Sequence, residues 1–155
     1  MKKIFLFLAL LGFLQADDQV ARVVFDLTTS NLDKFERNIL KGIAAHKNHY
    51  ESNLKELEVA VVIHGDAYKF FVKDIAHSPF KEDKELVKVY DDFKTRIQTM
   101  SDTYNVEFLM CKAAMPKNKL EEKDIVSFVK MVPNSTIGLI EKQNHGYAYI
   151  PVNNN

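Results

Sequence analysis

Short apolar and β-branched runs alternate along this chain with longer stretches in which apolar residues recur every three or four positions. Val20 to Leu27, Leu57 to Ile63, Val106 to Cys111, Phe128 to Val132 and Tyr147 to Ile150 have the length and composition of buried strands. After the first run, Leu32, Phe35, Ile39, Ile43 and His46 keep helical spacing, and Ser30 with Asp33 stands at capping-box distance ahead of them. The spacing predicts an amphipathic helix ending near Tyr50. Leu86, Tyr90, Phe93, Ile97, Met100 and Tyr104 repeat the pattern before the third strand. A last helix, Thr136 to His145, follows Asn134-Ser135 and stops at Gly146, a residue suited to a left-handed cap.

Strands joined by helical crossovers run parallel, with helices covering both faces of the sheet. Loops at the carboxyl ends of such strands converge on one edge, where open α/β sheets bind ligands. That edge is expected to collect Asp26 to Ser30, His64-Gly65-Asp66, Cys111 to Met115 and Pro133 to Ser135.

The first sixteen residues are read differently. Lys2 and Lys3 precede the apolar stretch Ile4 to Leu14, and Ala16 stands before Asp17-Asp18, the layout of a secretory signal peptide. The stretch is shorter than the roughly 20 apolar residues that span a bilayer. The expectation is therefore an exported, periplasmic protein that begins at Asp17 and has no stable membrane insertion after cleavage. Residues 17–152 suit a single domain, and Asn153-Asn154-Asn155 reads as a frayed, disordered tail. The 21 basic and 21 acidic side chains balance, and loss of Lys2 and Lys3 with the leader leaves the remainder slightly acidic. Nothing in that charge calls for a nucleic-acid partner.

One cysteine in an exported chain cannot form an internal disulfide. Cys111 is then a working thiol, a small apolar filler closing a strand face, or half of an intermolecular bridge. Lys112 beside it would favour the thiolate if its ammonium points that way, as would a helix amino terminus built by Asn118 and Glu121.

The strand ending in His64-Gly65, the strand ending in Cys111-Lys112-Ala113-Ala114-Met115, the turn Val132-Pro133-Asn134-Ser135 and the closing Gln143-Asn144-His145-Gly146-Tyr147-Ala148-Tyr149-Ile150 together resemble the DsrE/DsrF-like family of sulfur-relay proteins. The resemblance covers nearly all of the chain after the leader. It implies a three-layer α/β/α fold around a five-stranded, mainly parallel sheet, and a homo-oligomer or hetero-oligomer. It also implies a cysteine after the third strand that carries sulfane sulfur as a persulfide, with donor and acceptor proteins as partners. Cys111 is the residue at that position. A sulfur carrier or sulfurtransferase is the implied function, and a non-catalytic oligomeric module binding a small ligand on the same scaffold is the rival; neither asks for a cofactor.

Other rim residues have two readings each. His64 could hydrogen-bond sulfur or move a proton near neutral pH, or could merely fix the turn before Gly65. The hydroxyls of Thr28, Thr29 and Ser30, with Gly65 opposite, could hold a sulfur oxyanion at a helix amino terminus, or could serve as caps. Tyr68, Phe70 and Phe71 could wall a pocket or pack in the core. The polar stretch from Lys73 to Lys84 could be a lid or a surface excursion. His46 and His49, three apart, lack a third ligand, so no metal is expected there. His145 is placed to complement the carboxyl end of the last helix.

Overall fold

The computed structural model describes residues 20–154, so the leader read over residues 1–16 and the terminal Asn155 lie outside the described residues. Five strands, β1 (Val20–Leu27), β2 (Glu56–Ile63), β3 (Glu107–Cys111), β4 (Lys130–Val132) and β5 (Ala148–Val152), form one sheet in the order β4-β3-β2-β1-β5. Every neighbouring pair is parallel. The central β2 is buried without interruption from Val59 to Ile63, as a strand covered on both faces must be.

The two covering layers are unequal. On one face lie α1 (Leu32–Phe35), a π-helical segment (Glu36–Gly42), α2 (Ile43–Ser52), a 3-10 segment (Gly65–Phe71) and α3 (Lys84–Asp102). Phe35 stacks on Phe70 with centroids 4.2 Å apart and packs at 5.9 Å from Phe93, while Phe71 meets Phe108 at 5.4 Å. The other face has a small cluster of Val24, Ala60, Val62, Leu109 and Val132 beneath α4 (Ser135–Asn144). Gly138 lets α4 lie close, since a Cβ there would sit 3.3 Å from a Val132 methyl. Ile137, Ile140, Tyr149 and Ile150 stay exposed.

The first helix departs from its expected cap and stripe. Asn31, not Ser30, is the cap, its side chain accepting from the Lys34 amide at 2.8 Å. The π-helical segment widens the turn, so the buried row runs Ile39, Leu40, Ile43 and then Lys47. His46, expected on the apolar stripe, is exposed, and the Lys47 ammonium reaches the Leu57 carbonyl at 2.7 Å. β4 is shorter than the apolar run Phe128 to Val132, because Val129 turns back to the Val126 carbonyl. β5 extends two residues past Ile150 through Pro151, which an edge strand tolerates. Gly146 takes the expected left-handed conformation, with φ of 83°. Among the described residues no helix is long and apolar enough to cross a membrane.

A Cβ at Gly42 would lie 2.9 Å from the Arg37 carbonyl oxygen, a backbone atom that cannot swing aside. Helical Gly→Ala ordinarily stabilises by up to about 1 kcal/mol. Here the sign reverses, and Gly42→Ala is expected to cost about 1–3 kcal/mol, read as a lower midpoint in urea unfolding.

Candidate functional site

Cys111 is the last residue of β3 and is 4% exposed. Strand alternation puts it on the side of Leu109, yet at the strand's end its side chain packs with the larger core, which also holds Ala67, Tyr68 and Met115. The buried Tyr68 hydroxyl, carried by the 3-10 segment, donates to the Cys111 carbonyl at 2.5 Å. Burial, and after it the adjacent Cys111 thiol, push the Tyr68 hydroxyl above the ordinary phenol range, so it remains a neutral donor. The segment bearing Tyr68 is itself tied down. The Tyr90 hydroxyl donates to the Val72 carbonyl, and Val72 bridges antiparallel to Ile125.

Beyond the thiol the ladder continues for two residues, the Lys112 amide reaching the Val132 carbonyl at 2.9 Å and the Ala113 amide the Pro133 carbonyl at 3.1 Å. The expected support from Lys112 is not what the geometry provides. Its ammonium pairs with Glu122 at 2.5 Å, because the turn Glu122–Asp124 folds that carboxylate beside it. Asn118 and Glu121 do not build a helix amino terminus at the thiol. Asn118 donates to the Ala114 carbonyl, and Glu121 caps only that three-residue turn. A concavity of about 390 Å³ adjoins the loop, lined by Lys112, Met115, Pro116, Leu120 and Glu122 among others. A larger one, about 750 Å³, lies near the amino-terminal ends of β1 and β2 between Val20, Lys47, Leu57 and Tyr104, and none of the candidate residues reaches it.

His64 directly follows β2 and falls beside Cys111, since the ladder pairs Ile63 with Met110 one step earlier. Its Nε2 meets Asp26 Oδ1 at 2.6 Å, and the Tyr149 hydroxyl donates to the other carboxylate oxygen at 2.7 Å. Burial would raise the Asp26 carboxyl, but the bonds from His64 and Tyr149 outweigh it, and the carboxyl lies below its ordinary 3.8. That stabilisation is complete above the ordinary value and is lost as the pH falls through the lowered one. Gly65 follows with φ of 62°, and a Cβ there would stand 3.4 Å from that of Thr28. The turn therefore needs its glycine.

The Thr28–Ser30 hydroxyl run does not face an open anion site. Thr29 is buried, and its hydroxyl donates to the Asn154 side-chain oxygen at 2.8 Å, which also accepts from the Ser30 amide at 2.9 Å. The amides of Thr28 and Thr29 go to the Val152 carbonyl, and Lys34 reaches the Asn153 carbonyl. Asn153 and Asn154 are thus docked on the rim where a frayed tail was expected. Their polar groups satisfy the loop donors that β5 leaves free.

Tyr68, Phe70 and Phe71 are core residues rather than pocket walls. In the stretch Lys73 to Lys84, Ile75 and Ser78 are buried and Asp74 caps the turn at Ala76 and His77, so the segment packs as a surface excursion. His145 Nδ1 lies 2.6 Å from the Glu141 carbonyl at the end of α4, in keeping with its expected capping role. No group of three metal-ligating side chains occurs among the described residues. Sequence reasoning overlooked Asp26 and Tyr149 as partners of His64. The available signal was alternation, which puts Asp26 on the face of Val24, and Tyr149 across from Val24 on the edge strand.

The fold defines a three-layer α/β/α protein whose parallel sheet gathers a thiol and an Asp-His pair at its carboxyl edge. Residues 22–152 match the model of the DsrE/DsrF-like family, and the chain belongs to that family. It is 31% identical over 153 residues to an uncharacterized protein of Aquifex aeolicus (strain VF5), covering 97% of this chain but 64% of that protein's length. The structure of MTH1491, a protein of unknown function from Methanobacterium thermoautotrophicum, superposes with a TM-score of 0.54 at 19% identity, over 84% of this chain and 98% of that one, and shares the fold.

Tyr68→Phe removes the donor to a buried carbonyl without changing the ring. It is expected to cost about 1–3 kcal/mol in urea unfolding and to speed alkylation of Cys111, as the strand end loosens. An unchanged alkylation rate would mean that the bond does not hold the thiol in place.

Proposed function

We propose that this protein is a sulfur carrier in which Cys111 accepts sulfane sulfur as a persulfide and hands it to a partner thiol. The observation that carries the reading is the position of the chain's one cysteine: it closes β3 at the carboxyl edge of the sheet in a member of the DsrE/DsrF-like family. Thiolate attack on a sulfane sulfur suits such a residue, and transfer to a second thiol breaks one S–S bond and makes another without net oxidation. Loading requires the exposed Lys112–Ala113 stretch to move enough for a donor to reach the sulfur. Burial of the thiol favours a second reading, in which Cys111 is a filler and the rim binds a small ligand without chemistry.

Export belongs to the same proposal, with the leader cleaved after Ala16 and the carrier at work in the periplasm. So does self-association. Ile137, Ile140, Tyr149 and Ile150 leave apolar surface on the thinly covered side of the sheet and along its edge, surface that a second copy would bury.

Intact-mass measurement of the native protein from the periplasmic fraction should find a chain beginning at Asp17 and a portion carrying one extra sulfur. Polysulfide should load the recombinant wild type and leave Cys111→Ser unloaded. A folded wild-type thiol that neither alkylates nor takes up sulfur would overturn the carrier and favour the binding module.

Light scattering at micromolar concentration should give a mass above that of one chain, and Ile140→Glu should lower it. A strictly monomeric wild type would remove the self-association proposal.

A further inference from the structure

The strand register sets His64 beside Cys111, one step past the Ile63–Met110 pair, and the surroundings of its imidazole specify how it would move a proton. The Asp26 carboxylate takes the Nε2 side of the ring at 2.6 Å, which sets the tautomer with hydrogen on Nε2 and leaves Nδ1 as a lone pair. Nδ1 has no hydrogen-bond partner among the described residues. Tyr149 spends its hydroxyl hydrogen on the second carboxylate oxygen and presents only acceptor character outward. Asp26 and Tyr149 lie on the adjacent strands β1 and β5, and His64, the residue after β2, is still bound through its amide to the Leu27 carbonyl at 3.1 Å, so the arrangement is held close to the ladder. It is also reachable: side-chain exposure is 26% for His64 and 15% for Asp26, and Tyr149 is 44% exposed as a residue.

A site that offers a basic nitrogen, a carboxylate and a phenol oxygen selects a ligand that brings a proton, and it repels an anion. The donors that could have held an anion on the same edge, the Thr29 hydroxyl and the Ser30 amide, are taken by Asn154, and the Lys112 ammonium is taken by Glu122. Asp66 adds another carboxylate beside this edge.

We infer that His64 is the general base of sulfur transfer, positioned by Asp26 and Tyr149, and that the acceptor it serves is a protonated thiol rather than a sulfur oxyanion. This rests on the carrier reading of Cys111. The acceptor R–SH gives its proton to His64 Nδ1 as its sulfur attacks the outer sulfur of the Cys111 persulfide. The Cys111 Sγ–S bond breaks, an R–S–S bond forms, and the electron pair leaves on Cys111 Sγ. The proton then passes from His64 to the product or to solvent. In sum, Cys111 persulfide and R–SH become Cys111 thiol and R–S–SH, with no oxidant or reductant consumed.

The test follows single-turnover transfer from polysulfide-loaded full-length protein. His64→Gln keeps an N–H for Asp26 but has no basic nitrogen. With glutathione as acceptor, the variant should load normally and transfer about a hundredfold more slowly, at the low end of what general-base removal costs. With trifluoroethanethiol, more of which is already ionised at the same pH, the defect should shrink. Asp26→Asn should show a smaller defect with the same dependence on acceptor acidity, which a merely structural change would not produce. Sulfite should be a poor acceptor for the wild type. Equal glutathione rates in wild type and His64→Gln, a defect independent of acceptor acidity, or sulfite outpacing glutathione would each overturn the inference. If the wild type does not load at all, the carrier reading fails first and this inference falls with it.

Discussion

Everything at the working edge depends on the all-parallel pairing around β2. A strand buried on both faces has no room for polar side chains along its length, so Val59 to Ile63 are apolar and His64 is the first position at which β2 can carry chemistry. Because β1 and β3 run in the same direction, their first chemically useful positions at that end, Asp26 and Cys111, are carried to the same edge. A slip of one residue in the β1–β2 ladder would turn His64 or Asp26 to the opposite face and break the 2.6 Å contact between them. The site therefore inherits its precision from the register rather than from loop conformation.

Unequal cover on the two faces then divides the edge into two environments. The aromatic packing of Phe35, Phe70, Phe71, Phe93 and Phe108 fills one face, and the thiol at its margin is enclosed and held through its carbonyl by Tyr68. On the other face α4 covers only a small cluster, which leaves Asp26, His64 and Tyr149 in contact with water. A buried thiol and a partly solvated imidazole thus sit side by side in the register. For the proposed carrier the separation would be of use, because a thiol shielded from water is protected from oxidation while a base has to reach its proton donor.

Most of the architecture was legible in the primary structure because buried parallel strands and amphipathic helices leave strong periodic traces. β1 was read to the residue, and β2 and β3 to within one. What escaped were features with no periodic signature. The π-helical turn moved Lys47 into the buried row in place of His46, since inserting a wider turn changes which side chain faces inward. The Asn153-Asn154 contacts were invisible because they satisfy donors over a sequence separation of more than a hundred residues. At the edge, Cys111 and His64 stood out by residue type, but partners could not. Lys112 was next to the thiol in sequence and turned to Glu122, whereas Tyr68, 43 positions away, reached the thiol's own carbonyl.

Burial of Cys111 weighs differently on the thiol and on its persulfide. The thiol itself is 4% exposed, which is typical of an inert cysteine. A persulfide places its reactive outer sulfur about 2.05 Å beyond Sγ, one S–S bond length further along the side chain. For the proposed carrier the position would need to admit a donor only briefly, through movement of Lys112 and Ala113. In a carrier of the proposed kind that extra length has to be accommodated beyond a side chain that is already buried, and the neighbouring position in the register at the open edge is His64. In such a carrier the tight packing that shields the empty thiol would itself help to present the loaded one.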